Sequence, residues 1–312
     1  MRIRSGYFIF LLVLVFPFFF FGGPGYYAAG SIKDAWDLGH ILFFTLASVE
    51  LYTFYCSRAS HLKPIHVFIR VSLVVFVFGL MIELLQMFTS ERSPDVFDIL
   101  RNQLGALIGF VIFCSVGRKL NPLVLRTMQA GTILLVVCFL WPLARAVIDE
   151  RLAAAQFPLL SDFETPFEAR RWRDIHQLQR VDHPVRLGKK SLRVQLSTKE
   201  YSGTALLNFP HDWSGYQWLN FSVYNPADAE LSLHGKINDR LHRQNSQEYK
   251  DRFNQQFTLH FGWNDLRISL DAARIAPAGR EMNMHEIEGF GIFVVRQARP
   301  LVIYIDNVHL SK

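Results

Sequence analysis

His40, Glu83 and Asp98 are proton-carrying side chains placed within or at the mouths of long apolar runs. Such groups are costly in an apolar setting and call for a reason. Their neighbours sharpen the pattern. Glu83 and Gln86 are three apart and share one helical face. Arg92 and Asp95 follow in a short polar stretch. Asp98, Asn102, Gly105 and Gly109 then advance by four, three and four, which is one continuous helical stripe. His40 with Glu83, Asp95 or Asp98, oriented by Arg92, has the residue types for acid/base chemistry. The same set, with Gln86, Arg92, Asp95 and Asn102 as polar contacts, suits a pocket for a charged head group. A structural alternative stands beside both. Asp95 after Pro94 caps a helix, Arg92 neutralises an acid, and the two glycines let a neighbouring helix approach closely. Glu50 and Arg70 read as a separate structural pair.

The elements that must carry these residues follow from composition. The 312 residues are 50% apolar and 19% charged, too apolar for an ordinary soluble enzyme and far from a disordered chain. Residues 1–148 hold 12 Lys/Arg against 7 Asp/Glu, and residues 149–312 hold 21 against 20. The excess positive charge therefore lies in the apolar half, where it marks membrane orientation. The polar half has no basic bias toward a nucleic acid. Five runs approach the roughly 20 apolar residues that cross a bilayer, over about 7–25, 38–57, 65–88, 96–116 and 124–147. A cleaved signal peptide is the alternative for the first run. No convincing small-x-small site follows it, so it is read as retained. Arg2, Arg4, Arg58, Lys63, Arg118 and Lys119 fall on one side of these runs, which places the amino terminus in the cytoplasm and everything beyond about residue 149 outside. The Phe-rich first run suggests a bacterial inner membrane. The expected organisation is a five-helix membrane domain over 1–148, a linker over 149–156, and an extracytoplasmic domain over 157–312. Cys56, Cys114 and Cys138 lie in or beside apolar runs, so the second half folds without disulfides.

The run Glu83-x-x-Gln86, Arg92, Asp95, Asp98, Asn102, Gly105, Gly109 resembles the signature of VanZ-like membrane proteins, over roughly residues 30–120. The preceding helix opens with Asp37-Leu38-Gly39-His40, which keeps the family's histidine and a nearby acid. No lysine precedes the histidine at the usual place, and Phe44 stands where a tyrosine is common. The family is associated with resistance to a lipophilic glycopeptide antibiotic. The resemblance implies an envelope role at the outer leaflet and supplies no reaction.

Beyond residue 157 apolar residues alternate with polar ones, as in Leu192, Val194 and Leu196, the strand Trp218 to Tyr224, and Leu231 to Ile237. Further strands are expected over 256–261, 266–270, 290–295 and 301–310. Strands at this density predict an all-β antiparallel jelly-roll sandwich. The segment is similar to galactose-binding-like jelly rolls of carbohydrate-binding modules, through its opening Leu160-Ser161-Asp162-Phe163-Glu164 and closing Ile303-Tyr304-Ile305-Asp306-Asn307-Val308. That resemblance implies a structural calcium shared by the first and last strands, with Glu164 and Asp306 as its ligands. It also implies a glycan site of aromatic and polar groups, for which Trp213, Tyr216, His234, Asn238, Asp239, Arg240, His242, Tyr249 and Arg252 are candidates. The polar run from Gly235 to Arg252 reads as a long exposed loop. No nucleophile elbow, phosphate loop, dinucleotide fingerprint or zinc-type Cys/His pattern is present.

Three functions compete. The first is a non-catalytic envelope protein that holds a membrane lipid head group or lipid-linked glycan near His40 and a glycan or exopolysaccharide on its outer domain. The second is a membrane enzyme using His40, Glu83 and Asp98 on a lipid-linked substrate. The third is a scaffold for proteins of an envelope or polysaccharide synthesis or export complex.

Overall fold

The structure, a computed structural model, describes residues 5–25, 27–58, 62–88, 95–117, 120–173, 177–245 and 247–312. Two compact units divide the chain, Met1–Arg145 and Ala146–Lys312.

The first unit is helical. Helix α1 (Ser5–Val15) runs into a 3-10 turn at Phe16–Phe19. Pro17 lacks the N–H that would continue an α-helix, and Gly22 then takes a positive φ of 77°. The run expected to cross over 7–25 is therefore interrupted. An eleven-residue helix rises about 16 Å, half of a hydrocarbon core. Four helices, not five, are long and apolar enough to cross a membrane among the described residues. They are α2 (Gly30–Arg58), α3 (Pro64–Gln86), α4 (Val96–Gly117) and α5 (Pro122–Gln156).

Close approach of α2 and α4 depends on two glycines. A Cβ at Gly105 would stand 2.8 Å from the Ile41 carbonyl and 2.9 Å from the Thr45 nitrogen, and one at Gly109 would stand 2.9 Å from the Ser48 Cβ. Backbone thus meets backbone along the seam, and the polar end of the α4 stripe is brought against α2. Tyr52 adds a hydrogen bond to the Ala106 carbonyl at 3.1 Å. Around the seam pack Phe43, Phe44, Val71, Val75, Ile82 and Phe110.

Residues 149–156, expected as a linker, are instead the last turns of α5. Leu152 to Ala155 are strong helix formers. Asp149 is also fixed by buried Arg171, whose Nε and Nη2 reach it at 3.0 and 2.8 Å.

The second unit is an antiparallel β-sandwich. One sheet has the order β2 (Leu178–Val181), β3 (Ser191–Leu196), β10 (Leu301–Ser311), β5 (Trp218–Asn225), β8 (Gly262–Ser269), with β1 (Leu159–Ser161) also on β10. The other has β4 (Tyr201–Leu206), β9 (Ile287–Val295), β6 (Leu231–Asp239) and β7 (Phe253–Leu259). Most successive strands alternate between the sheets, as a jelly roll requires. The alternating apolar residues meet in the middle. Leu192, Val194, Phe221 and Ile305 come from the first sheet, and Leu233, Phe290 and Ile292 from the second. Burial of such rows on two facing sheets, at roughly 25 cal/mol per Å² of apolar surface, drives this fold without a disulfide.

Candidate functional site

In the helical unit the structure brings His40, Glu83, Asp98 and Asn102 together from three helices. All are buried, at 3, 4, 4 and 0% exposure. His40 Nδ1 lies 2.9 Å from Asn102 Oδ1, and its Nε2 lies 3.3 Å from Asp98 Oδ2. Glu83 Oε2 accepts the Asp95 backbone N–H at 2.8 Å, which ties the end of α3 to the start of α4. Asp95 Oδ1 accepts the Phe97 N–H at 2.9 Å, as a capping acid does. Gln86 is buried and donates to the Phe19 carbonyl at 2.9 Å, so it secures the turn after α1. The Phe19 ring meets the His40 imidazole edge-to-face, centroids 4.7 Å apart.

Arg92, expected to balance these acids, lies outside the described residues. Arg101 performs that task. Its guanidinium contacts Asp98 Oδ1, Asp95 Oδ2 at 3.1 Å and Asp37 Oδ2 at 3.3 Å. Sequence reasoning passed over it, although Asp98-x-x-Arg101 is a helical i, i+3 pair. Glu50 makes no ion pair with Arg70 among the described residues; it lines a mainly apolar cavity of about 620 Å³ with Phe43, Phe44 and Phe78.

The sandwich candidates separate differently. Trp213 is 1% exposed and packs in the core, its Nε1 donating to the Pro210 carbonyl at 3.1 Å, so it offers no face to a ligand. Tyr216 packs edge-to-face on Phe157. Arg240 pairs with Glu286 at 2.8 Å. Tyr249 is exposed under the Arg252 guanidinium, 5.3 Å from its ring centroid. Asn238 is buried, and its Nδ2 has no hydrogen-bond partner.

The run from Gly235 to Arg252 is not one exposed loop. Strand β6 extends to Asp239, the short helix α6 (Arg240–Gln244) follows, and a 3-10 turn covers Tyr249–Asp251. Arg280 clamps this segment by bonding Asp239 at 2.7 Å and Asp251 at 2.6 Å. Burial alone would raise the Asp239 carboxyl, but the Arg280 bonds and the Asn283 and His242 N–H groups outweigh it and hold it below the usual range. Arg280 likewise lowers Asp251. Burial lowers His242, which sits 3.3 Å from Asp251.

Glu164 and Asp306, the expected calcium ligands, face the same turn of chain. Glu164 Oε1 accepts the Lys189 and Lys190 N–H groups at 2.6 and 2.9 Å. Asp306 Oδ2 accepts those of Arg186 and Leu187 at 2.7 and 3.1 Å, and Oδ1 that of Asn307. These oxygens thus receive backbone donors, which is the chemistry of a held loop.

A groove missed in the sequence runs over the outer face of the four-stranded sheet. It has a volume of about 310 Å³. Gly203 and Ala205 form a low floor. Tyr201 and Phe293 form an aromatic wall, centroids 6.0 Å apart, and His234 stacks on Phe293 at 5.3 Å. Arg173, Lys236 and Arg252 line it as well. The Lys236 stem lies across Gly291, where a Cβ would come within 2.7 Å of its Cε. Burial, with Arg252 and Arg173 nearby, lowers the Lys236 ammonium to about 8. Two sequence candidates meet here, Arg252 in the lining and His234 stacked on Phe293.

Residues 7–117 match the family model VanZ/LLP1. This segment is a VanZ-like domain. The His40, Glu83, Asp98 and Asn102 constellation belongs to it. No curated protein matches the chain. Among solved structures, a family 11 carbohydrate-binding module from Clostridium thermocellum in complex with a β-1,3-1,4-mixed-linked tetrasaccharide is similar at 16% identity and TM-score 0.37, covering 49% of this chain and 94% of that one. A family 30 carbohydrate-binding module of a Clostridium thermocellum cellulosomal cellulase is similar at 16% identity and TM-score 0.35, covering 44% and 82%. An agarase is similar at 12% identity and TM-score 0.34, covering 49% and 26%. The sandwich is established by its own two sheets.

Proposed function

We propose that this chain is a membrane-anchored glycan-binding protein of the cell envelope, and that its sandwich takes an acidic polysaccharide in the groove between Tyr201 and Lys236. The observation that carries this reading is the groove itself. A flat floor of small residues, an aromatic wall and converging polar groups are what sugar rings need, since their C–H faces stack on aromatics and their hydroxyls and acids seek donors. Three cations along one groove favour a ligand with carboxylate, sulfate or phosphate groups. The VanZ-like domain anchors the sandwich, and its polar cluster is the proposed contact for a lipid head group or lipid-linked glycan. Arg58 and Lys63, with Arg118 and Lys119, direct their loops to the cytoplasm, so α5 leaves the sandwich outside whether or not α1 crosses.

The test is calorimetry on the full chain in detergent against acidic and neutral polysaccharides. Saturable binding of an acidic polymer is expected, weakened by Phe293→Ala and left intact by Trp263→Ala. Trp263 packs with Tyr224 on the opposite sheet, so it controls for nonspecific aromatic contact. Binding that depends on Trp263 instead, or no binding to either polymer class, contradicts the proposal.

A further inference from the structure

The three buried groups of the VanZ-like domain have a second property, independent of the glycan reading. His40, Glu83 and Asp98 each offer one ligand atom, and these atoms lie within 4.8 Å of one another. Donor atoms around one zinc-sized ion, at about 2.0–2.2 Å from it, stand roughly 3–3.5 Å apart. The His40 Nε2 to Asp98 Oδ2 distance of 3.3 Å already meets that spacing. We infer that His40, Glu83 and Asp98 form a binding site for a divalent first-row transition ion such as Zn²⁺ or Mn²⁺.

The surroundings of each group fit a ligand's role. A metal-bound imidazole usually donates its other N–H to a fixed acceptor, which sets the tautomer. His40 has that acceptor in Asn102 Oδ1, 2.9 Å from Nδ1. With the proton on Nδ1, the Nε2 lone pair points toward the Asp98 carboxylate, and lone pair against anion is repulsive unless a cation lies between. Arg101 holds the other Asp98 oxygen, Oδ1, and leaves Oδ2 on the His40 side. The Asp95 N–H fixes Glu83 through Oε2. Each proposed ligand is thus oriented by a neighbour that does not itself join the set. Asn102 cannot turn freely, because it is fully buried and its amide is wedged beside Gly79, where a Cβ would come within 2.5 Å of Nδ2.

The donor set selects the class of ion. One imidazole nitrogen with two carboxylates suits Zn²⁺, Mn²⁺ or Fe²⁺ better than Ca²⁺ or Mg²⁺, which favour all-oxygen sites. Three protein donors leave coordination positions open for water or for an anionic oxygen. The three ligands come from α2, α3 and α4, so an ion would also cross-link the helices.

The experiment uses the full chain, purified in detergent, treated with a chelator and titrated with Zn²⁺ by calorimetry and with Co²⁺ by visible absorption. One ion per chain is expected, with cobalt bands of a mixed nitrogen and oxygen site and weaker response to Mg²⁺ or Ca²⁺. His40→Ala and Asp98→Asn should abolish saturable binding, and Asn102→Leu should weaken it by about 10- to 100-fold. His66→Ala, on an exposed residue at the other end of α3, should change nothing. Absence of saturable Zn²⁺ and Co²⁺ binding by the chelator-treated wild-type chain overturns the inference without any variant having to fold. Binding that survives His40→Ala in a folded variant overturns it too.

Discussion

Around His40, buried and half-buried charged side chains are paired with one another, whereas in the sandwich groove three cations stand along one open space. In the first region a single guanidinium is divided among Asp37, Asp95 and Asp98. In the second, the charges acting on Lys236 are Arg252 and Arg173, both of its own sign. Mutual pairing produces a fixed constellation that resists change. Like charges along one groove fit the proposed receptor, because an incoming anion would relieve their mutual repulsion. The same residue types thus serve preorganisation in one unit and, in the proposed function, recognition in the other.

The largest expected effect breaks the first arrangement. Arg101→Met leaves Asp98 buried without its cation, which should cost about 3–5 kcal/mol of stability. A fall in the thermal midpoint of the detergent-solubilised chain would show it, and an unchanged midpoint would mean the pairing is incidental. Arg280→Met in the sandwich removes the partner of Asp239, which is 0% exposed, and should cost a similar 3 kcal/mol or so. It also supplies a pH signature. Asp239 and Asp251 titrate below the usual carboxylate range when folded. Their contribution is therefore complete above about pH 4, the unfolded value, and is lost as pH falls through the lower folded values. Acid unfolding followed by tryptophan fluorescence should be steeper in the wild type than in the variant.

Smaller effects address the groove. Phe293→Ala should weaken polysaccharide binding by about 2 kcal/mol, roughly 30-fold in Kd. Lys236→Met should cost about 1.5 kcal/mol, near tenfold. Because Lys236 loses its proton near pH 8, wild-type affinity for an acidic polymer should fall above that pH. Stability should move oppositely: between about 8 and the unfolded value near 10.4 the unfolded chain binds the extra proton, so folding gains as pH rises. Affinity that stays level across this window would remove Lys236 from the site. The smallest effect is expected for Tyr249→Ala, an exposed ring on Arg252, with Kd changed less than twofold.

How much of this was legible in the sequence follows from what each feature depends on. Four spans were readable because length and hydropathy alone define them. The first was not, because Pro17 breaks the helix inside an otherwise apolar run. Helical spacing brought His40, Glu83, Asp98 and Asn102 to one depth. It did not name Arg101, since Arg92 was the more conspicuous cation of the loop. Strands with strict alternation, such as Ser191–Leu196, were clear. Strand β4, with Tyr201-Ser202-Gly203-Thr204, alternates too weakly to be noticed, and it carries one wall of the groove. The groove also depends on register across strands distant in sequence. Gly203 pairs with Phe293, and Lys236 with Gly291. Trp213 misled because an aromatic next to turn residues looks exposed, whereas the chain folds it inward.

The proposed glycan lies in the groove over Gly203 and Ala205, and an Ala205→Cys variant tests this most directly. Ala205 lines the groove, and the native cysteines at 56, 114 and 138 all lie in the helical unit. Labelling of the new thiol by a maleimide should slow markedly when a bound acidic polysaccharide is present, and recover when salt releases it. Labelling at an unchanged rate while the polysaccharide remains bound would place the ligand elsewhere and contradict the account.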